Sequence, residues 1–130
     1  MTDRQSLPTD AELEILNVLW ANGPSTVKDV HQLLSGKSPR GYTTVLKILQ
    51  IMSEKGLVSR DESQRAHIYT PAIEIKQTQQ SMVIHLVNKV FDGSAGSLIM
   101  QALSSRPTSK EELAEIRKLL DEMEGRRDDK

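Results

Sequence analysis

Cysteine is absent from the 130 residues of this sequence, and so are the motifs of the common enzyme classes. Without cysteine the chain forms no disulfide, thiolate metal site or thiol nucleophile. It has no glycine-rich phosphate loop, no His-Glu-x-x-His pattern and no Gly-x-Ser-x-Gly elbow, and its three histidines are widely spaced. We therefore predict that the protein is not an enzyme and holds no metal or cofactor.

Aromatic residues and long hydrophobic runs are also scarce. Aromatics are 3% of the chain and hydrophobic residues 37%, so a core must rely on leucine, isoleucine and valine, and part of the apolar surface is expected to need a partner. No apolar run approaches the roughly 20 residues of a membrane span, and the N-terminus is polar, unlike a signal peptide. These absences predict a cytoplasmic protein that does not enter a membrane.

The formal net charge is −1, but the charge is unevenly distributed. Segment 37–65 carries more basic than acidic residues, whereas acidic residues concentrate after Ser109. A local basic excess is typical of a nucleic-acid-binding surface. The basic residues of the segment are Lys37, Arg40, Lys47, Lys55, Arg60 and Arg65, and the acidic ones are Glu54, Asp61 and Glu62.

Segment 42–55 has the spacing of an amphipathic helix, with Gly56 as a left-handed stop. Its apolar stripe consists of Val45, Leu49 and Met52, widened by Tyr42, Leu46, Ile48 and Ile51. The opposite face carries Thr43, Lys47, Gln50 and Glu54. Near the helix start this face is small, hydroxylated and basic, which suits entry into a DNA major groove. The plainer interpretation is an ordinary helix with a solvated face.

The segments before this helix predict two more helices. Thr9 and Glu12 form a capping box for a helix over 10–22, which directs Leu13, Ile15, Leu16, Leu19 and Trp20 inward until Gly23-Pro24. Thr26 can cap a second, short helix that Gly36 ends. Two helices joined by a brief turn, with a supporting helix in front, predict a helix-turn-helix.

After Gly56 the pattern alternates, which predicts strands over 57–60 and 65–70 joined by the polar turn 61–64. Such a hairpin would be the wing of a winged helix, with Arg60, Arg65 and His67 beside DNA phosphates. Arg40 is expected to hold a further phosphate, and Thr43, Thr44 and Lys47 to lie nearest the bases. Tyr42 is also predicted to bind DNA.

Three further helices are predicted over 74–92, 94–104 and from Ser109 to about Glu124. Fifty residues can hardly build an independent core, so we expect these helices to pack against a second copy of the chain. The predicted dimer interface consists of Met82, Val83, Leu86, Val87, Val90, Leu113, Ile116, Leu120 and Met123. The predicted fold class is thus mainly α with a small β-hairpin: a winged helix-turn-helix domain over 1–72 and an α-helical dimerisation domain over 73–130.

Several motifs together resemble the penicillinase-repressor family, BlaI/MecI/CopY. They are the opening 7–16, Leu19-Trp20, the helix start 42–45, Lys55-Gly56-Leu57-Val58 and Tyr69-Thr70-Pro71. The resemblance implies a homodimeric winged-helix repressor that binds an operator dyad in double-stranded DNA. Copper-responsive members end in paired cysteines, which this chain lacks.

In the antibiotic-responsive members a membrane sensor protease triggers cleavage of an Asn-Phe bond, and the matching position here is Gln101-Ala102. The resemblance therefore implies a regulatory protease as a further partner, with a departure from the family pattern at the cleaved bond. The alternative function is a winged-helix adaptor that binds protein and not DNA, because winged helices also serve in that way.

Overall fold

The computed structural model describes residues 7–128, with side chains to Arg126. It contains six helices and one hairpin. The elements are α1 (Asp10–Asn22), α2 (Val27–Leu34), α3 (Tyr42–Lys55), β1 (Val58–Asp61), β2 (Ile68–Pro71), α4 (Ile75–Lys89), α5 (Ala95–Ser105) and α6 (Lys110–Asp128). The predicted order of helices and strands is confirmed.

The first three helices begin and end in different ways. Capping boxes start α1 at Thr9 and α2 at Thr26. In each, the threonine side chain accepts the backbone N–H of the acidic residue three positions later, and the side chain of that acid accepts the backbone N–H of the threonine. The N-cap of α3 is Gly41, which has no side-chain bond. Gly56 ends α3 with φ of 82°, the left-handed conformation that glycine adopts without strain.

The core is formed by α1, α2, α3 and the hairpin. Its buried apolar side chains are Ile15, Leu16, Val18, Leu19, Val27, Val30, Leu34, Val45, Leu49, Met52, Leu57, Val58 and Tyr69. The predicted inward set of α1 is wrong in two places: Leu13 and Trp20 are only half-buried. Trp20 packs against the core from its edge because its indole N–H needs a partner, which it finds in the Ile73 carbonyl at 3.0 Å.

The hairpin is antiparallel, with Val58 opposite Pro71 and Asp61 opposite Ile68. Ser25 pairs with Tyr69 through two backbone hydrogen bonds, so the segment between α1 and α2 forms an antiparallel bridge to β2. The predicted second strand began too early, because Arg65 and His67 lie in the loop before β2. The alternating sequence pattern of residues 65–70 did not reveal that pairing with β1 begins only at Ile68.

The described residues divide into two compact units, and the division falls within α4 after Ile84. The described residues up to Ile84 are here called the head, and those from His85 onward the tail. The head extends past the predicted boundary at residue 72. The Trp20 indole N–H joins the segment after β2 to α1 by donating to the Ile73 carbonyl, and Thr78 of α4 is buried.

Within the tail, Asp92 (φ 52°) and Gly93 (φ 83°) end the helical backbone that precedes α5. The Ser94 side chain accepts the Ser97 N–H and so caps α5, and Ser109 caps α6 by accepting from Glu112. No described side chain of the tail is buried. The tail therefore leaves the apolar faces of its helices without a core of their own.

Candidate DNA interface

The two faces of α3 differ as sharply as the sequence predicts. Val45, Leu49 and Met52 are completely buried, which anchors the helix in the head. Thr43, Thr44, Lys47 and Gln50 are exposed on the other side. The predicted apolar stripe is too wide, because Tyr42 and Ile51 are exposed while Leu46 and Ile48 are half-buried. The exposed surface of α3 is thus larger, and less polar, than its sequence pattern suggests.

Tyr42 marks the start of α3 and is 48% exposed. Its ring meets the His31 ring of α2 edge-to-face, with the centroids 5.8 Å apart. This contact connects the start of α3 to α2. Tyr42 is thus an exposed aromatic residue next to Thr43 and Thr44.

Arg40 lies just before α3 and is already engaged within the chain. Its Nη2 donates to Glu14 Oε1 on α1 at 2.9 Å, and Ser38 Oγ donates to the same oxygen at 2.9 Å. These hydrogen bonds, Arg40 first, lower the pKa of the Glu14 carboxyl. Arg40, predicted to hold a phosphate, is therefore also an internal partner of α1, which its sequence neighbours did not reveal.

Half of the basic residues of segment 37–65 are paired with acids of the head. Besides Arg40, Lys55 Nζ binds the buried Glu12 carboxylate at 2.8 and 3.0 Å, and Arg60 binds Glu62. No ion pair among the described residues involves Lys37, Lys47 or Arg65. The free positive charge of the segment is therefore carried by these three side chains, one of them on the exposed face of α3.

The wing places its basic residues at different points. Arg60, on β1, is opposite the buried Tyr69, and hydrogen bonding to the Tyr69 side chain raises the pKa of Arg60 further. Arg65 and His67 are exposed in the loop. The loop begins with an Asp61 carboxylate that accepts the Ser63 N–H at 2.9 Å, which lowers the pKa of Asp61. This turn fixes the start of the loop, beyond which Arg65 extends toward solvent.

The residues predicted for the dimer interface are all exposed or half-buried. Val90 is 65% exposed, and Leu120 and Met123 are each 49% exposed. Gln101 and Ala102, predicted at the cleavage position, are exposed in the middle of α5. Gln101 also lines a shallow cleft of about 580 Å³ with Val90, Phe91 and Met100.

Sequence reasoning missed the acidic residues that pair with two of the basic side chains, Arg40 and Lys55. Glu12 and Glu14 lie on α1, more than twenty residues before their basic partners. Glu12 lies in the first turn of α1 and Glu14 just after it, but which basic residue each one meets depends on how α1 and α3 pack. Among the described residues there is no cluster of histidine and acidic side chains that could hold a metal, and no helix among them is long and apolar enough to cross a membrane.

A three-helix core with a helix-turn-helix and a hairpin carrying exposed basic residues defines the winged-helix class of DNA-binding proteins. The penicillinase repressor family model matches residues 8–122. The chain therefore belongs to the penicillinase repressor family, and it is a DNA-binding transcriptional repressor. This finding supports the repressor prediction and not the adaptor alternative, and repressors of this family are not enzymes.

Two relatives in sequence agree with this assignment. The chain is 26% identical to the penicillinase repressor of Bacillus licheniformis over 92% of its own length and 93% of the relative. It is 30% identical to the transcriptional regulator BlaI of Mycobacterium tuberculosis, covering 68% of this chain and 78% of that protein. The solution structure of the DNA-binding domain of the repressor BlaI superposes with a TM-score of 0.49 at 28% identity, covering 54% of this chain and 85% of that one.

Proposed function

We propose that the protein represses transcription as a homodimer that occupies an operator dyad, with one α3 in each of two successive major grooves. The observation that carries this proposal is the exposed Thr43, Thr44 and Lys47 face of a helix whose opposite face is completely buried. A rigid helix with small hydroxylated and basic residues at its start can approach base edges closely. Because such a repressor must reach bacterial DNA, we infer that it acts in the cytoplasm.

Within this proposal Thr43, Thr44 and Lys47 meet base edges, and Tyr42 contacts the adjoining backbone. Lys47→Ala should cost about 1 to 3 kcal/mol and relax one operator position if Lys47 contacts a base. If it contacts a phosphate, the salt dependence of binding should instead decrease by about one unit. Operator affinity measured between about 50 and 200 mM salt separates these outcomes.

A matched control for this experiment is Lys118→Ala, which removes the same charge from an exposed position of α6. It should leave operator affinity unchanged. Wild-type operator binding by both Thr44→Ala and Lys47→Ala would refute the assignment of α3 as the reading helix.

We assign Arg40, Arg60, Arg65 and His67 to the DNA backbone. Phosphate contacts position a protein without specifying sequence, so Arg65→Ala should weaken binding to operator and random duplex by similar factors. Arg65 is the sharpest probe of the wing, because Arg60 is held by Glu62 and its loss would also disturb the hairpin. A loss confined to one operator variant would contradict this role.

The tail supplies the proposed dimer contact. Its support is the exposure of Leu86, Val90, Leu120 and Met123 in the single chain, and Val83 of the head, on α4, is exposed as well. Holding two reading helices together makes the second half-site contact nearly intramolecular, which can raise affinity by about 100-fold or more. Cleavage at or near the exposed Gln101-Ala102 bond by a regulatory protease would separate α6 from the head and so release the operator.

A further inference from the structure

We propose that Glu14 is a positioning residue for DNA binding: from α1 it holds Arg40, and the turn that leads into α3, in the arrangement that contacts DNA. This inference rests on the proposed function above, in which α3 enters the major groove and Arg40 contacts the backbone. It adds a residue that carries negative charge and would by itself repel DNA.

One oxygen atom of Glu14 joins α1 to two points of the turn. Oε1 accepts from Ser38 Oγ and from Arg40 Nη2, each at 2.9 Å. The two donors stand on either side of Pro39 and immediately before Gly41, the N-cap of α3. A single carboxylate therefore fixes the last stretch of chain before the reading helix.

Hydrogen bonds secure the first half of the turn independently of Glu14. Lys37 and Ser38 donate their backbone N–H groups to the Leu34 carbonyl, and this half borders a cleft of about 420 Å³ that is lined by Glu14, Val18, Leu33, Lys37 and Ser38 among others. Gly41 provides no side-chain cap for α3. Among the described residues, the side-chain hydrogen bond of the second half is the one that Arg40 donates to Glu14.

The Glu14–Arg40 pair leaves the guanidinium able to bind a phosphate, so Glu14 can orient Arg40 without competing with DNA for it. Arg40 Nε is buried and finds no hydrogen-bond partner among the described residues, so Glu14 is the group that compensates this partly buried cation. A guanidinium has five N–H donors, and Nη2 is the one nitrogen that bonds Glu14. Donors therefore remain for a phosphate while Glu14 keeps the guanidinium plane in place.

The direction of one substitution distinguishes positioning from repulsion. Removing an acidic side chain near a DNA-binding surface ordinarily strengthens binding, because phosphate repulsion is reduced. If Glu14 instead positions Arg40, Glu14→Gln should weaken binding although it makes the protein more positive. The two expectations have opposite signs.

The test uses the full chain and a duplex from the DNA upstream of its own gene, chosen by protection mapping. Glu14→Gln should lower affinity on the order of threefold per half-site, as for an exposed ion pair, and should reduce the salt slope by about one if Arg40 loses its phosphate. In an Arg40→Ala background Glu14→Gln should cause no more than the small loss expected from the Ser38 contact alone. The control Glu54→Gln removes the same charge from an exposed position of α3 and should not weaken binding.

Tighter binding by Glu14→Gln, or an equal loss with and without Arg40, would overturn the inference. Ser38→Ala, which removes only the second donor to the same oxygen, should give a smaller loss, and melting curves should show every variant folded at the assay temperature. Lys47→Ala is measured alongside. If Lys47→Ala weakens binding and Glu14→Gln does not, this inference alone is wrong, whereas unchanged binding by both Lys47→Ala and Thr44→Ala would refute the proposed reading helix itself.

Discussion

The head and the tail of this chain use apolar residues in opposite ways. In the head, side chains such as Ile15, Leu19 and Leu49 are completely shielded from solvent. In the tail, none of the described side chains is buried, and Val90 and Met100 are each 65% exposed. The difference shows that the head completes its own core, whereas the tail can bury its apolar surface only with something outside the single chain.

Polar contacts follow the same division. All three ion pairs of the described residues lie in the head: two connect α1 to α3 and to the turn before it, and the third lies within the wing. The hydrogen bonds of the tail's described side chains are local ones at helix ends and turns. The stability of the head should thus be a property of the chain, while that of the tail should depend on protein concentration.

The largest expected effect compares the same substitution in the two regions. Leu49→Ala should destabilise the protein by about 2 to 5 kcal/mol, because it opens a cavity in a fully packed core. Leu120→Ala, its matched control in the tail, should change the stability of dilute, monomeric protein by less than about 0.5 kcal/mol. Urea unfolding at low concentration measures both values, and equal losses would contradict the distinction between the regions.

Leu120→Asp should dissociate the proposed dimer without unfolding the head. In a dimer it would bury an unpaired charge, which is strongly unfavourable, whereas in a monomer Leu120 is half exposed. Sedimentation should show a dimer for the wild type and a monomer for the variant, with unchanged melting of the head. A monomeric wild type at micromolar concentration would instead refute the account of the tail.

A smaller loss of stability is expected when the ion pair between Glu12, at the start of α1, and Lys55, at the end of α3, is removed. Lys55→Ala leaves the buried Glu12 carboxylate without its Lys55 contacts at 2.8 and 3.0 Å. Because Lys55 is itself partly exposed, we expect a loss of about 1 to 3 kcal/mol rather than the larger cost of a fully buried pair. Lys89→Ala, at an exposed position late in α4, is the control and should be neutral in the same unfolding assay.

The smallest expected effect is a change in the stability contributed by Glu14 at low pH. The Arg40 hydrogen bond lowers the pKa of Glu14, so the folded state favours the charged carboxylate. This contribution is present above the unfolded pKa of about 4.3 and is lost as the pH falls through the lower folded value. The stability difference between wild type and Glu14→Gln should therefore shrink in acid.

Much of the fold could be predicted because its signals are local. Capping residues such as Thr9 and Thr26 and the stop at Gly56 lie within one turn of the helix ends that they define. The start of β2 and the end of the head could not be predicted in this way. They depend on pairing with β1 and on the Trp20 bond to Ile73, which joins positions 53 residues apart.

In the candidate DNA interface, too, features with local signals could be predicted and features that depend on long-range contacts could not. Exposure of Thr43, Thr44 and Lys47 follows from helical period alone once the opposite face is apolar. The engagement of Arg40 by Glu14 does not, because both residues are charged and would ordinarily be assigned to solvent. Only the packing of α1 beside the turn shows that Arg40, one of the predicted phosphate contacts, is bound by an acid of the same chain.

The edge position of Trp20 gives the molecule its own optical probe. It is the only tryptophan of the chain, it packs against the core of the head, and its indole is tied to the Ile73 carbonyl. Indole emission will therefore report the melting of the head alone. Dissociation of the tail helices should leave this emission unchanged while the helical circular dichroism decreases, so two instruments can follow the two regions of one unlabelled protein.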